Sequence, residues 1–187
     1  MGLAARILVV LVWLSAGLGM AHAQVDILPE VRTGILSHDV GNGTNALLDP
    51  QRISDANVEL LFSLGDLSNI LVVAELRPHI GATLNFKGED SFAYAGLSLT
   101  AQLPLLPVFI EASLGGAAHG TPFATSTTPA PPRFGCVAVA RAAASVGVNV
   151  LPGASIIGTV EHYSDGGLCG TPNDGVTNVG LRIGFRF

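Results

Sequence analysis

From Thr177 to Phe187 the chain alternates without a break. Thr177, Val179, Leu181, Ile183, Phe185 and Phe187 occupy one set of positions, and Asn178, Gly180, Arg182, Gly184 and Arg186 the other. A period of two is a strand, here with one apolar face and one polar face. Related segments recur upstream. Glu30–His38 carries Val31, Thr33 and Ile35 on one face; in Ala56–Leu64 and Pro78–Phe86 an apolar row alternates with Asn57 and Glu59, then with His79, Thr83 and Asn85. Ser91–Thr100 shows the pattern weakly, and Val108–Leu114, Val137–Val150 and Ser155–Ser164 complete the set. Eight segments of about ten residues predict an all-β fold, an eight-stranded antiparallel transmembrane β-barrel. Closing the sheet is the β solution in lipid, because every backbone group must find its partner within the protein.

Composition agrees. Apolar residues make up 49% and charged residues only 12%, with a mean hydropathy of +0.52. That combination excludes a disordered acidic chain. A net charge of −5 without a basic run argues against nucleic acid as a partner. A helical membrane protein is excluded too. Asp66, Glu75, Glu111 and Arg141 interrupt the later apolar stretches, so none reaches the ~18 residues a spanning helix needs.

The first segment reads separately. Arg6, the apolar stretch Ile7–Leu18 and the small-x-small sequence Ala21-His22-Ala23 form a secretory signal peptide over residues 1–23, with the barrel over 24–187. The alternative, a membrane anchor, is short for a span of ~20 residues. Cleavage leaves 187 − 23 = 164 residues and a formal charge of 8 − 14 = −6. Behind such a leader, the terminal Phe187 on an alternating last strand resembles the C-terminal signal of bacterial outer-membrane proteins.

Connection lengths give sidedness. Ala101–Pro107 and Leu151–Ala154 are compact, proline-containing turns, and a third lies near Gly65–Asn69. Asp39–Asp55, Gly120–Gly135 and Asp165–Val176 are longer, while Lys87–Asp90 is short. Long loops outside and short turns on the periplasmic side are usual for such barrels. The 23 glycines and many alanines suit a narrow interior. Cys136 and Cys169 then fall on the same outer rim. In an oxidising compartment they are expected to pair, clipping two outer loops together; two unpaired thiols are the alternative. Two cysteines without a suitably spaced histidine do not make a zinc site. No metal and no cofactor are implied.

His38, His79 and His119 have no chemical neighbours at short spacing and read as structural. His162 differs. In Glu161-His162-Tyr163-Ser164-Asp165, His162 and Ser164 lie two apart and share a face with Ile156 and Val160. An imidazole and a hydroxyl on a lipid-facing row need a reason.

His162-Tyr163-Ser164, Gly167-Leu168, the run Pro172-Asn173-Asp174-Gly175-Val176 and the terminal strand together resemble the PagL-like lipid A 3-O-deacylases, or acyloxyacyl hydrolases. Over Thr159–Phe187 the resemblance is strong; elsewhere it rests on strand spacing and Gly34…Ser37-His38. It implies an eight-stranded outer-membrane barrel acting on an ester-linked acyl chain of lipopolysaccharide. By resemblance Ser164 is the nucleophile and His162 its general base, as in a hydrolytic triad. The family's orienting Glu falls at Thr177, which cannot neutralise an imidazolium. Asp165 stands where the family has an Asn beside the oxyanion region. An ionised Asp only accepts hydrogen bonds, so Gly166 and Gly167 are the expected amide donors there. Asp165 or Asp174 is a candidate to replace the missing acid.

Two main readings follow. One is a carboxylic-ester hydrolase of the outer membrane of a Gram-negative bacterium, with lipid A as substrate arriving laterally. The other is a catalytically degenerate structural or lipopolysaccharide-binding barrel. A small porin is disfavoured because eight strands leave an interior filled by side chains. A homodimer is compatible with either main reading, and one that covered the site would silence it.

Overall fold

The computed structural model describes residues 30–41, 50–64, 74–121 and 133–187. The expected leader, the turn near Gly65–Asn69, and much of the long connections after the first and fifth strands lie outside these residues.

Eight strands follow one another: β1 (Glu30–Ser37), β2 (Ile53–Leu61), β3 (Ala74–Asn85), β4 (Ser91–Gln102), β5 (Val108–Gly120), β6 (Ala138–Leu151), β7 (Ala154–Ser164) and β8 (Val176–Arg186). A 3₁₀ turn, Pro50–Arg52, leads into β2. Each strand pairs antiparallel with the next, and β1 pairs with β8 from Glu30↔Arg186 to Ser37↔Val179, closing the barrel. β2 begins three residues earlier than its alternation suggests, and β3 four. β5 runs six residues beyond Leu114, through a Gly-Gly pair that reads as a strand end. Gly115 instead sits opposite Gly96 in mid-sheet, where a Cβ on either would fall 2.2 Å from a carbonyl oxygen of the other strand. These glycines permit a close backbone approach rather than a turn.

The two faces of the sheet have opposite chemistry. Ile35, Ile80, Leu97, Ile110, Leu181 and Phe185 belong to an exposed apolar outer wall. The interior is ionic. Arg32, Arg77, Arg141 and Arg182 are fully buried, with Glu30, Glu59, Glu111 and Glu161 among them. Arg32 donates to Glu111 Oε1 at 2.6 Å and to Glu30 at 2.6 Å; Arg182 donates to Glu59 at 3.2 Å and Glu161 at 2.9 Å; Arg141 also reaches Glu161, at 2.8 Å. A buried charge is tolerable only when paired and hydrogen-bonded. Four arginines against four glutamates meet that demand, and their side chains fill the interior. The interior is therefore not built mainly from small residues. Ala138, Ala140, Ala142 and Ala144 of β6 face outward, because Val139 and Arg141 take the inward positions.

Above the ionic layers an aromatic cap closes the outer end. Phe92 and Tyr163 stack with centroids 3.8 Å apart, and Phe134 meets Phe92 edge-on at 6.2 Å.

Candidate active site on the outer wall of β7 and β8

Alternation decides which β7 side chains can meet a lipid. Ser155, Ile157, Thr159, Glu161 and Tyr163 are buried inside, so Ile156, Val160, His162 and Ser164 project outward. Across the β7–β8 ladder His162 lies directly opposite Thr177, and its Nδ1 is hydrogen-bonded to Thr177 Oγ1 at 2.8 Å. On the other side, Ala142 lies opposite His162 and Ala140 opposite Ser164. The wall beside the pair is therefore lined by methyl groups.

Ser164 ends β7 where the loop begins. Its hydroxyl donates to Asn173 Oδ1 at 3.3 Å and accepts the Gly166 N–H at 3.0 Å. Asn173 Oδ1 also takes the Asp165 N–H at 3.3 Å. The Pro-Asn-Asp-Gly run thus folds back over the serine. Gly175 follows with φ +64°, and a Cβ there would sit 3.0 Å from His162 Cε1. The chain passes against the imidazole edge, and only glycine fits both the conformation and the space.

Asp165 continues the alternation and turns inward. It is buried, and its carboxylate accepts the Gly167 N–H at 2.7 Å and the Gly135 N–H at 3.3 Å. That carboxylate organises the loop from behind and does not touch His162. Gly166 presents its amide at the serine. Asp174 meets the neighbouring loop through its backbone, donating to the Arg133 carbonyl at 3.1 Å.

Cys136 and Cys169 form a disulfide with Cα atoms 5.7 Å apart. The Asp165 carboxylate lies within 4.8 Å of both sulfurs. Because the sulfurs are bonded to each other, the cluster acts as a covalent clip and not a ligand set. The clip works beside a bridge between Phe134 and Asn173. Together they tie the segment before β6 to the residue that contacts Ser164. On the β1 side, Val40 donates its N–H to the Thr177 carbonyl at 2.8 Å, and Arg133 pairs with Asp39. The site is thus braced on both flanks.

The histidines read as structural are all engaged. His38 Nδ1 lies 2.9 Å from Asp55, and His79 Nδ1 lies 2.9 Å from Ser98. His119 spans Asp90 and the Cys136 carbonyl. At the outer rim, His38 is held above the ordinary histidine value. Burial opposes its charge, but the Asp55 carboxylate outweighs that, with Glu89 adding to it.

Comparison with known proteins fits this arrangement. The chain's likeness to the crystal structure of the outer-membrane enzyme PagL has a TM-score of 0.63 at 17% identity, covering 84% of this chain and 99% of that one. The N-terminal barrel domain of Pseudomonas aeruginosa OprF follows with a TM-score of 0.55 at 13% identity, covering 88% and all of that chain. Neisserial surface protein A gives 0.51 at 10%, covering 85% and 97%. At these identities the likeness concerns the fold. No curated protein sequence matches the chain. The model of the family "Lipid A 3-O-deacylase (PagL)" matches residues 92–186, from β4 to β8, a stretch that contains His162, Ser164 and Thr177. The protein is an integral protein of the outer membrane, and the chain belongs to the PagL family of lipid A 3-O-deacylases.

Proposed function

We propose that this chain hydrolyses an acyl ester of lipid A with Ser164 as nucleophile and His162 as general base, Thr177 orienting the imidazole. The observation that carries the reading is the 2.8 Å contact between His162 Nδ1 and Thr177 Oγ1, with Ser164 two residues along the same lipid-facing row. With Nδ1 held, Nε2 is the ring's base, and Ser164 turns its hydroxyl from Asn173 Oδ1 to the imidazole when it reacts. Ser164 attacks the ester carbonyl and His162 accepts the hydroxyl proton. The Gly166 amide, 3.0 Å from Oγ, stands near the developing oxyanion. The imidazolium then protonates the departing sugar oxygen, and water hydrolyses the acyl-serine. The alanine-lined wall at Ala140 and Ala142 leaves room for an acyl chain, so a substrate in the outer leaflet can enter sideways. Residues 1–23 fit this as a leader removed at export.

One observation favours the second reading, a binding barrel with lost catalysis. The partner of His162 Nδ1 is a hydroxyl, and Asp165 is committed to backbone amides elsewhere. Mass spectrometry of lipid A separates the two. The chain is expressed in a Gram-negative outer membrane beside Ser164→Ala. Loss of one hydroxyacyl chain with the unaltered protein alone supports the hydrolase. Unchanged lipid A of several acylation patterns, with a folded barrel, supports the binding reading.

A further inference from the structure

The β4–β5 turn at the inner end, Leu103-Pro104-Leu105-Leu106-Pro107, is built unlike a water-facing turn. Leu105 is 103% exposed and Leu106 56%, and Leu151, the last residue of β6 where it enters the neighbouring β6–β7 turn, is 67% exposed. Neither turn carries a charged residue. Leu105 adopts φ +66°. That left-handed conformation is one that glycine, asparagine or aspartate takes in solvated turns, and a leucine takes it only at a cost. The strain holds an apolar side chain at the tip, pointing away from the protein.

The flanks of this turn are also supplied with backbone partners from within. Gln102 Nε2 donates to the carbonyls of Leu106 and Val108, each at 3.0 Å. Asn149 donates its backbone N–H to the Pro107 carbonyl at 2.7 Å and its side chain to Gln102 Oε1 at 3.2 Å, joining the two turns. Leu103 donates to Val108 at 2.8 Å and Leu106 to Leu103 at 3.4 Å. Pro104 and Pro107 have no N–H to satisfy. These bonds hold the two flanks of the turn and leave the Pro104–Leu105 tip outside them; flanks paired from within are what lipid requires of a backbone and water does not. The apolar surface is continuous with the outer wall, running from Leu99 and Ile110 down to Leu106 and Leu151.

We propose that these two turns are embedded in the inner leaflet of the outer membrane, with Leu105, Leu106 and Leu151 as a phospholipid-binding anchor on the β4–β7 side of the barrel. The charged inner ends of β1, β3 and β8, with Glu30, Glu75 and Arg186 joined in one ionic cluster, stay at the aqueous boundary. The anchor therefore acts on one side, fixing the height and lean of the barrel beneath the β7–β8 wall.

The sole tryptophan of the chain is Trp13, so a full-length Trp13→Phe, Leu105→Trp protein carries a single fluorophore at the tip. It is reconstituted in phosphatidylethanolamine–phosphatidylglycerol vesicles, with and without brominated acyl chains. A matching Lys87→Trp protein reports the short β3–β4 connection at the outer end. Blue-shifted emission at position 105, mostly lost in brominated vesicles while position 87 is little changed, is the expected result. Emission at 105 that matches position 87 in colour and in quenching by aqueous acrylamide overturns the proposal. Should Leu105→Trp fail to fold, Leu106→Trp carries the same test. Leu105→Asn gives a second reading with opposite signs, because asparagine relieves the left-handed strain. In water it raises the urea midpoint, which overturns the proposal; in a leaflet it lowers it.

Discussion

Replacing Thr177 by glutamate should accelerate ester cleavage. Thr177 Oγ1 already lies 2.8 Å from His162 Nδ1 on directly opposed strands, so a longer acidic side chain at this position starts beside its target. The hydroxyl fixes the ring but carries no charge to set against the imidazolium formed during attack. A neutral hydrogen bond contributes about 0.5–1.5 kcal/mol and one to a charged group about 1.5–3 kcal/mol. The difference of about 1–1.5 kcal/mol corresponds to roughly tenfold in rate. Screening on an exposed wall keeps the gain near that value. The ~10⁴ that a triad loses without its acid sets the ceiling. The assay is the initial rate of hydroxy fatty acid release from lipid A in mixed micelles, with Thr177→Gln and Thr177→Ala in parallel. Glutamine matches glutamate in shape without the charge, so the expected order is Glu, then Thr and Gln together, then Ala. A folded Thr177→Glu protein no faster than the unaltered one would refute the charge argument. Equal rates for Thr and Ala would refute any role for the 2.8 Å contact.

Three further outcomes follow from other parts of the structure. Gly175→Ala should slow cleavage while leaving a folded barrel, since φ +64° costs an alanine about 1–2 kcal/mol and its Cβ must displace the imidazole from 3.0 Å; rates and urea midpoints measured together check this. Arg182→Leu should cost about 3–5 kcal/mol in urea unfolding from vesicles, because Glu59 and Glu161 lose a buried partner. The raised His38 titration stabilises the fold fully below the unfolded value of 6.5, and this contribution disappears as pH climbs through the higher folded value. Asp55 and Glu89 favour the charge and Arg133 opposes it. The midpoint should therefore fall on the alkaline side of 6.5 in the unaltered protein, and stay flat there in His38→Gln.

Alternation made much of the wall legible. Strand eight is plain from Thr177 onward, and the outward placement of His162 and Ser164 follows from two-residue spacing alone. The same spacing, carried one residue past Ser164, already points Asp165 inward, toward the loop it organises. The ionic interior was not legible. Every strand but β4 shows an arginine or glutamate on its polar face, but pairing depends on how far the strands are staggered around the barrel. Arg32 meets a glutamate 79 residues away, a relation no single segment carries. The grip of Asn173 on Ser164, and the passage of Gly175 against the ring, arise from a loop fold set by four left-handed glycines, a disulfide and an isolated bridge. The Pro-Asn-Asp-Gly run marked their importance without their geometry.

The interior network also bears on how the barrel is made. Arg182, on the last strand, bonds Glu59 on β2, 123 residues earlier in the chain, and Arg186 bonds Glu30 on β1. Until β8 meets β1, these carboxylates have no arginine from that strand. Sinking an unfinished sheet into lipid would leave Glu59 with only Arg32 and Arg141, at 3.7 and 3.8 Å and beyond hydrogen-bond reach, at a cost of several kcal/mol. Assembly is therefore concerted at its last step. The nascent lumen has to stay hydrated while the seam is open and can shed its water only when the eighth strand docks, so a chain truncated before β8 should stall as a wet, open sheet at the membrane surface.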